Sequence, residues 1–309
     1  MKQFLCLLCV LLLTTGCNNT NNSKEDTIDV YALRGPSVLT VAQFLEGNTY
    51  VDGKKIEVRI LDSPQQIQAA IIKKEADIAL LPLISAANLY NKQIDYKLLG
   101  CSVWGSIYLI GRVDSIQKLG NESVYMFGKE TTPSILAENY FQKNGFPLGI
   151  TNYNYSVESP QELTGLLLSR RANAAILSEP FISVALRQDT SLSVIADLNH
   201  FNGEEGFPQT AIVINPAMQK YTDTLTTLFE EAALATTQHP KEVIRIIEES
   251  RVFGVGTITE ESIKRCKIDF KNSREAKQDF IKYLNTILNL NPKSVGEKLP
   301  DDGFYIYAE

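Results

Sequence analysis

The sequence predicts an α/β protein in which two βαβ lobes face each other around a cleft and a helical C-terminal tail follows. One observation behind this prediction is an internal repeat: residues 63–81 (SPQQIQAAIIKKEADIALL) align without a gap with residues 159–177 (SPQELTGLLLSRRANAAIL) and share six of nineteen positions. Another is the alternation of short apolar runs with amphipathic stretches, which is typical of βαβ units. The third is the helical spacing of apolar residues after about residue 221.

The repeat also has an upstream part, in which PSVL at residues 36–39 is echoed by PSIL at residues 133–136. Chance similarity between amphipathic helices is the alternative explanation. Each main copy nevertheless starts with Ser-Pro and has Gln66 or Glu162 three residues after the serine. This pattern predicts an N-cap, a proline at N1 and a capping box in both copies. A single repeat offset by 96 residues favours two related lobes, because solenoid repeats are roughly 20–50 residues long.

The N-terminus has the pattern of an export signal, predicted to comprise residues 1–16. Lys2 precedes an apolar run at residues 4–13, which is too short to span a bilayer. The following LTTGC resembles the lipobox of bacterial lipoproteins and predicts lipidation at Cys17, although the position three before the cysteine is Thr14 instead of the usual leucine. An ordinary signal peptide with a chance cysteine is the alternative. Residues 17–26 are predicted to be a polar tether.

The first lobe is predicted to comprise residues 27–107 and to resume at residues 207–309. Its strands are predicted at residues 27–33, 55–61, 77–81 and 96–103, with helices at 36–46, from 63 and at 83–91. A return strand is predicted at residues 209–214, and the tail has helical spacing at residues 225–238, 241–251, 260–265 and 274–288. The alternation predicts a largely parallel sheet, with the tail wrapped around this lobe.

The second lobe, residues 108–206, is predicted to repeat the same arrangement. Its strands are predicted at residues 108–111, 123–127, 151–155, 173–177 and 192–197, and its helices at 133–143, from 159 and from 180 to 188. Residues 202–206 read as a loop before the return strand. The connections near residues 104–111 and 202–210 are therefore the predicted hinge.

Composition excludes several classes of function. The net charge of −6 comes without a basic patch, so nucleic acid is not an expected partner. His200, His239 and the cysteines match no catalytic or metal-binding pattern, and no cofactor or metal is expected. Cys101 and Cys266 could pair in an exported protein, but their apolar or mixed surroundings favour two buried thiols.

Several segments together resemble a known family. They are YALRGPS, EADIALLPLISAANLYN, CSVWGSIYLIG, YMFGKETTPSILAENYFQKNG, AAILSEPFISVAL and GEKLPDDGFYIY. The chain is similar over nearly its whole mature length to the substrate-binding proteins of ABC importers, in the nitrate/sulfonate/taurine/thiamine-precursor group with the type II periplasmic-binding fold. The resemblance implies a lipoprotein of the cell envelope that binds one small solute between its lobes and presents it to the permease subunits.

The candidate ligand-binding residues lie in strand-to-helix turns, where helix N-termini provide free N–H groups. Arg34 is the strongest candidate, because a guanidinium beside a helix N-terminus suits an acidic group; a solvated loop arginine is the alternative. Thr131 and Thr132 could cap a helix or donate hydroxyls, and Glu179 could bind an amine or be held by a helix dipole. Trp104 could stack on a ring or pack in the hinge. The predicted set contains Arg34, Gly35, Ser37, Pro82, Trp104, Lys129, Thr131, Thr132 and Glu179.

Two other classes of function remain open at this point. The same fold hosts enzymes similar to chorismate dehydratase and to a thiamine-pyrimidine synthase, but the export signal argues against the first and the second uses a Cys-rich motif that this chain lacks. A lipoprotein that senses a ligand and acts as an adaptor is the other alternative. The expected ligand is a small anionic or zwitterionic organic solute, and the chain is not expected to be an enzyme.

Overall fold

The computed structural model describes residues 26–120, 122–129, 131–144, 153–157, 159–201 and 204–308. The predicted signal peptide, Cys17 and the tether up to residue 25 lie outside the described residues. Within the described part the chain forms fourteen strands: β1 (Thr27–Leu33), β2 (Tyr50–Val51), β3 (Lys54–Leu61), β4 (Ile78–Pro82), β5 (Lys97–Val103), β6 (Ile107–Gly111), β7 (Val124–Tyr125), β8 (Tyr153–Asn154), β9 (Ala174–Ser178), β10 (Ser193–Asp197), β11 (His200–Phe201), β12 (Glu204–Glu205), β13 (Thr210–Ile214) and β14 (Ile268–Asn272).

The same residues form ten α-helices, most of which match the predicted helical segments. They are α1 (Ser37–Val41), α2 (Pro64–Ile72), α3 (Leu83–Asn91), α4 (Thr132–Lys143), α5 (Pro160–Leu168), α6 (Phe181–Gln188), α7 (Thr222–Gln238), α8 (Pro240–Glu249), α9 (Glu260–Arg265) and α10 (Lys277–Leu290). The helix predicted at residues 36–46 is only partly α-helical, because a 3₁₀ helix at Ala42–Glu46 replaces its second half.

Two main sheets define two lobes, as predicted. Lobe 1 contains the sheet with strand order β14-β5-β13-β4-β1-β3-β2, and lobe 2 contains the sheet with order β10-β6-β9-β7-β8. The chain passes from lobe 1 to lobe 2 between Val103 and Ile107 and returns to lobe 1 at Thr210. Strands β11 and β12 form a small hairpin just before this return.

The sheet of lobe 1 is less parallel than the sequence predicts. β1 pairs in parallel with β3 and β4, but β13 pairs antiparallel with β4 and β5, and β14 pairs antiparallel with β5. The reversal arises because β13 enters the sheet from the opposite lobe. The sequence predicts only helices in the tail, so β14 was not predicted. This short segment pairs with the free edge of β5 instead of forming a helix.

The two copies of the repeat lie in different lobes and both begin with the predicted N-cap serine and N1 proline, whereas the predicted capping box forms in the first copy. Ser63 Oγ accepts a hydrogen bond from the Gln66 N–H at 3.3 Å, and Gln66 Oε1 accepts one from the Ser63 N–H at 3.2 Å, which completes a capping box. In the second copy Ser159 Oγ accepts from the Glu162 N–H at 3.1 Å. Each helix leads into a buried strand, β4 in lobe 1 and β9 in lobe 2.

The helical tail joins the lobes through aromatic packing at the connections. The Trp104 ring stacks on Phe280 of α10 at a centroid distance of 6.2 Å, and Phe207 stacks on Tyr283 of the same helix at 5.3 Å. Stacked aromatic pairs at such distances add to the free energy gained by burial. Both connections between the lobes therefore rest on α10.

Cys101 and Cys266 are buried and unpaired, as predicted. None of the helices in the described ranges combines the length and the apolar character needed to cross a membrane.

Candidate functional site

A cleft of ≈ 180 Å³ lies between the lobes. Both lobes contribute to its walls, and most of the lining comes from the turns between strands and helices. The lining residues are Leu33, Arg34, Pro36, Ser37, Asp62, Ser63, Pro64, Gln65, Leu81, Pro82, Ile107, Phe127, Gly128, Thr131, Thr132, Pro133, Pro160, Ser178, Phe181, Gln209 and Thr210.

Helix N-termini from both lobes surround the cleft. Lobe 1 contributes the first turns of α2 and α3 through Pro64 and Pro82, and lobe 2 contributes those of α4, α5 and α6. The N–H groups of a first helical turn lack intrahelical acceptors, and the helix dipole places partial positive charge there. The cleft therefore favours an acidic group on a ligand, although proline at the first position of α2 and α5 removes one donor from each.

Arg34 lines the cleft, but its guanidinium already has partners in lobe 1. Its Nε donates to Asp62 Oδ1 at 2.5 Å, and its Nη1 donates to the carbonyl oxygen of Val252. Its guanidinium carbon also lies 5.9 Å from the centre of the Phe253 ring. Both residues line the cleft, where the side chain of Asp62 is 65% exposed and that of Arg34 is 26% exposed.

The three predicted hydroxyl residues, Ser37, Thr131 and Thr132, line the cleft, and each already forms a hydrogen bond within the protein. Ser37 Oγ donates to the Leu33 carbonyl at 2.5 Å, and Thr131 Oγ1 donates to the Gly128 carbonyl at 2.6 Å. Thr131 occupies the N-cap position of α4 without a side-chain cap bond, whereas Thr132 is buried and bonds to Tyr283 of the tail. Hydroxyl oxygens that donate internally can still accept a bond from a ligand.

Four residues of the predicted set do not line the cleft. Trp104 is 9% exposed, and its Nε1 donates to the Asp269 carbonyl at 2.7 Å, so its ring packs in the hinge instead of lining the cleft. Lys129 is exposed and lines a separate surface depression formed mainly by α4 and the end of α10. Gly35, with a φ of +152°, shapes the turn before α1 but is not part of the lining.

Glu179 is the fourth of these residues, and it is fully buried beside the cleft. Its carboxylate accepts hydrogen bonds from Ser183 Oγ at 3.0 Å and from the Ser183 N–H at 3.2 Å, and it pairs with Arg265 Nη1 at 3.2 Å. Burial raises the pKa of Glu179, and the bonds from Ser183 and the charge of Arg265 oppose that rise. Because Glu179 is fully buried and is not among the residues that line the cleft, it does not present its carboxylate there.

The structure also adds residues that the sequence analysis missed. Asp62 follows β3 and lines the cleft beside Arg34, and Phe127 and Phe181 supply aromatic walls from lobe 2. Gln209 contributes from the return connection, where its amide exchanges hydrogen bonds with Ser106 Oγ at 2.9 and 3.1 Å. The position of Asp62 at the carboxyl end of a predicted strand was a signal that could have identified it.

Two α/β lobes with a cleft at their facing strand ends form the type II periplasmic-binding fold. The chain matches no protein-family model and no curated protein sequence. It is 41% identical to a protein of known crystal structure that is described as an ABC transporter from Parabacteroides distasonis. The matched region spans 92% of this chain and 100% of that chain, with a TM-score of 0.85. The chain therefore belongs to the ABC-transporter family of that protein.

More distant structures share the fold. The periplasmic aliphatic sulphonate binding protein SsuA from Escherichia coli is 15% identical, with a TM-score of 0.68, and covers 89% of this chain and 92% of that chain. The periplasmic nitrate-binding protein NrtA from Synechocystis PCC 6803 is 10% identical, with a TM-score of 0.57, and covers 81% of this chain and 74% of that chain. These likenesses support the two-lobed architecture.

Proposed function

We propose that this protein is an extracytoplasmic binding protein that captures a small anionic or zwitterionic organic solute in the cleft and delivers it to the permease subunits of an ABC importer. The observation that carries the proposal is the cleft itself, in which helix N-termini of both lobes surround the Arg34–Asp62 pair. Positive helix ends favour an acidic group, and the pair offers one charge of each sign.

The apolar part of the lining restricts the solute further. Leu33, Leu81 and Ile107 contribute aliphatic side chains to the lining, and Phe127 and Phe181 contribute aromatic ones from lobe 2. Small-molecule sites usually combine such apolar walls with a few polar groups that fix orientation. An organic acid with an apolar or aromatic body therefore fits this cleft better than a small inorganic anion.

The experiment that tests this function is native mass spectrometry of protein purified from its own cells under non-denaturing conditions. We expect a non-covalent adduct of a small organic acid or zwitterion that exchanges with added solute. The control is Ser178→Trp, which places an indole in the cleft and should abolish the adduct while circular dichroism stays unchanged. An adduct that persists in this variant would place binding outside the cleft and contradict the proposal.

We also propose that the protein is a lipoprotein anchored through Cys17 to a bacterial membrane. The support is the short apolar run followed by Gly16-Cys17 and a polar tether. We predict that the mature N-terminal peptide carries fatty acyl mass and that Cys17→Ala releases the protein from the membrane fraction. Intact mass and fractionation check this; an unmodified Cys17 at the N-terminus, or cleavage at another position, would refute the anchor.

A further inference from the structure

Arg265 joins the two lobes at a point outside the cleft. Arg265 is the last residue of α9. Its neighbours Ile263 and Cys266 belong to the buried core of lobe 1. The guanidinium reaches lobe 2, where Nη1 lies 3.2 Å from Glu179 Oε1 and 3.2 Å from Ser183 Oγ. The Arg265 side chain, which extends from lobe 1, therefore forms hydrogen bonds with Glu179 and Ser183 of lobe 2.

The backbone of the same residue is held by lobe 2 as well. Tyr108 of β6 donates its phenolic hydrogen to the Arg265 carbonyl oxygen at 3.3 Å. The Glu179 N–H donates to the Ser106 carbonyl at 3.1 Å, and the Trp104 N–H donates to the Lys267 carbonyl at 3.1 Å. These bonds place the Arg265 contacts directly beside the connection on which the lobes turn.

The burial of Glu179 makes this contact sensitive to the angle between the lobes. Its side chain is 0% exposed, whereas that of Arg265 is 22% exposed. Removing the charged partner of a buried carboxylate is strongly destabilising, because the charge is left without compensation. Rotation that separates α9 from α6 would leave Glu179 with the neutral donors of Ser183. The ion pair therefore favours lobe angles at which α9 and α6 stay in contact.

We infer that Arg265 is a positioning residue, which fixes the angle between the lobes through Glu179, Ser183 and Tyr108 and so sets how much of the ligand-free protein has a binding-competent cleft. Arg265 and Glu179 are not part of the cleft lining, so they act on the ligand only through this angle. Apparent affinity scales with the populated fraction of the competent arrangement. Only this consequence for affinity rests on the proposed function.

The test measures the lobe angle in ligand-free protein. Spin labels are attached at Lys73→Cys and Ser169→Cys, exposed positions equivalent in the two copies of the repeat, while Cys101 and Cys266 stay buried. We expect Arg265→Gln to shift the distance distribution between the labels to longer and broader values and to raise the radius of gyration. Tyr108→Phe should shift both in the same direction by less.

The matched control is Arg112→Gln, which breaks an Arg112–Asp189 contact of 2.6 Å inside lobe 2. It should lower the melting temperature without changing the distance distribution. If Arg265→Gln does not fold, the double variant Arg265→Gln with Glu179→Gln replaces the pair by neutral amides and should show the same widening. An unchanged distribution in the Arg265 variants, or equal widening in the control, overturns the inference. Because no ligand is present, failure of the proposed import function does not affect this result.

Discussion

Arg34, the predicted charge partner of the ligand, already forms an ion pair with Asp62. The guanidinium uses Nε for Asp62 and Nη1 for the Val252 carbonyl, so an incoming acidic group would bind its remaining N–H donors close to the Asp62 carboxylate. A ligand with a cationic group as well would compensate Asp62 at the same time. The pair thus makes the cleft more selective than an isolated arginine would.

We predict that Arg34→Ala weakens binding of the identified ligand about 10- to 100-fold, because a charge-assisted contact contributes roughly 1.5–3 kcal/mol. Isothermal titration calorimetry measures the change. The matched control is Arg59→Ala, which removes another arginine of lobe 1 that is paired with Asp29 but lies outside the cleft lining. Unchanged affinity in a folded Arg34→Ala protein would mean that Arg34 serves only the loop at Val252.

The sequence could indicate which turns meet at the site, but not where each side chain points. Arg34, Ser37, Pro82, Thr131 and Thr132 line the cleft because strand-to-helix turns at the carboxyl ends of strands face it. The direction of Glu179 depends on Arg265, 86 residues away in the chain, and that of Trp104 depends on Asp269 and Phe280. Such long-range pairs leave no mark in the local pattern.

At the scale of elements, local signals predicted the helices better than the sheet edges. The caps of α2 and α5 follow from Ser-Pro at the start of each helix, since a capping hydroxyl and a proline at N1 act locally. β14 has no such local determinant. It forms because β5 offers an edge, and the side chain of Phe270 covers Gly100 there.

The glycine at that edge gives a test of the pairing. A Cβ at Gly100 would lie 2.5 Å from the Lys271 carbonyl oxygen and 2.8 Å from the Phe270 ring, so we predict that Gly100→Ala displaces β14 and costs roughly 1–3 kcal/mol of unfolding free energy. Urea denaturation measures this cost.

Gly165 of α5 provides the opposite case for comparison. A Cβ there meets nothing within 4 Å, and the equivalent residue of the first copy is Ala69. We expect Gly165→Ala to stabilise the protein by roughly 0.5–1 kcal/mol, because alanine is favoured over glycine inside a helix. Equal effects of the two substitutions would show that β14 does not press on Gly100.

For the whole molecule, the two connections between the lobes and the cleft between them predict that the lobes close on the ligand. Hinged lobes that bind a solute between them close as rigid bodies in such proteins. We predict a smaller radius of gyration by small-angle X-ray scattering when the identified ligand is bound, and no change when the same ligand is added to Ser178→Trp. Binding to the native protein with an unchanged radius of gyration would contradict closure.

The register of β5 and β13 has a consequence for how the molecule is assembled. Val103 and Thr210 are direct partners across these antiparallel strands, so lobe 2 occupies the place of a hairpin turn in the sheet of lobe 1. The strands of the main lobe 2 sheet all lie between residues 107 and 197, whereas lobe 1 needs residues up to 272 to complete its sheet. Because the chain is synthesised from its N-terminus, every strand of the main lobe 2 sheet is made before β13. Until then, β4 and β5 still have unpaired edges. The lobe that begins first is completed last.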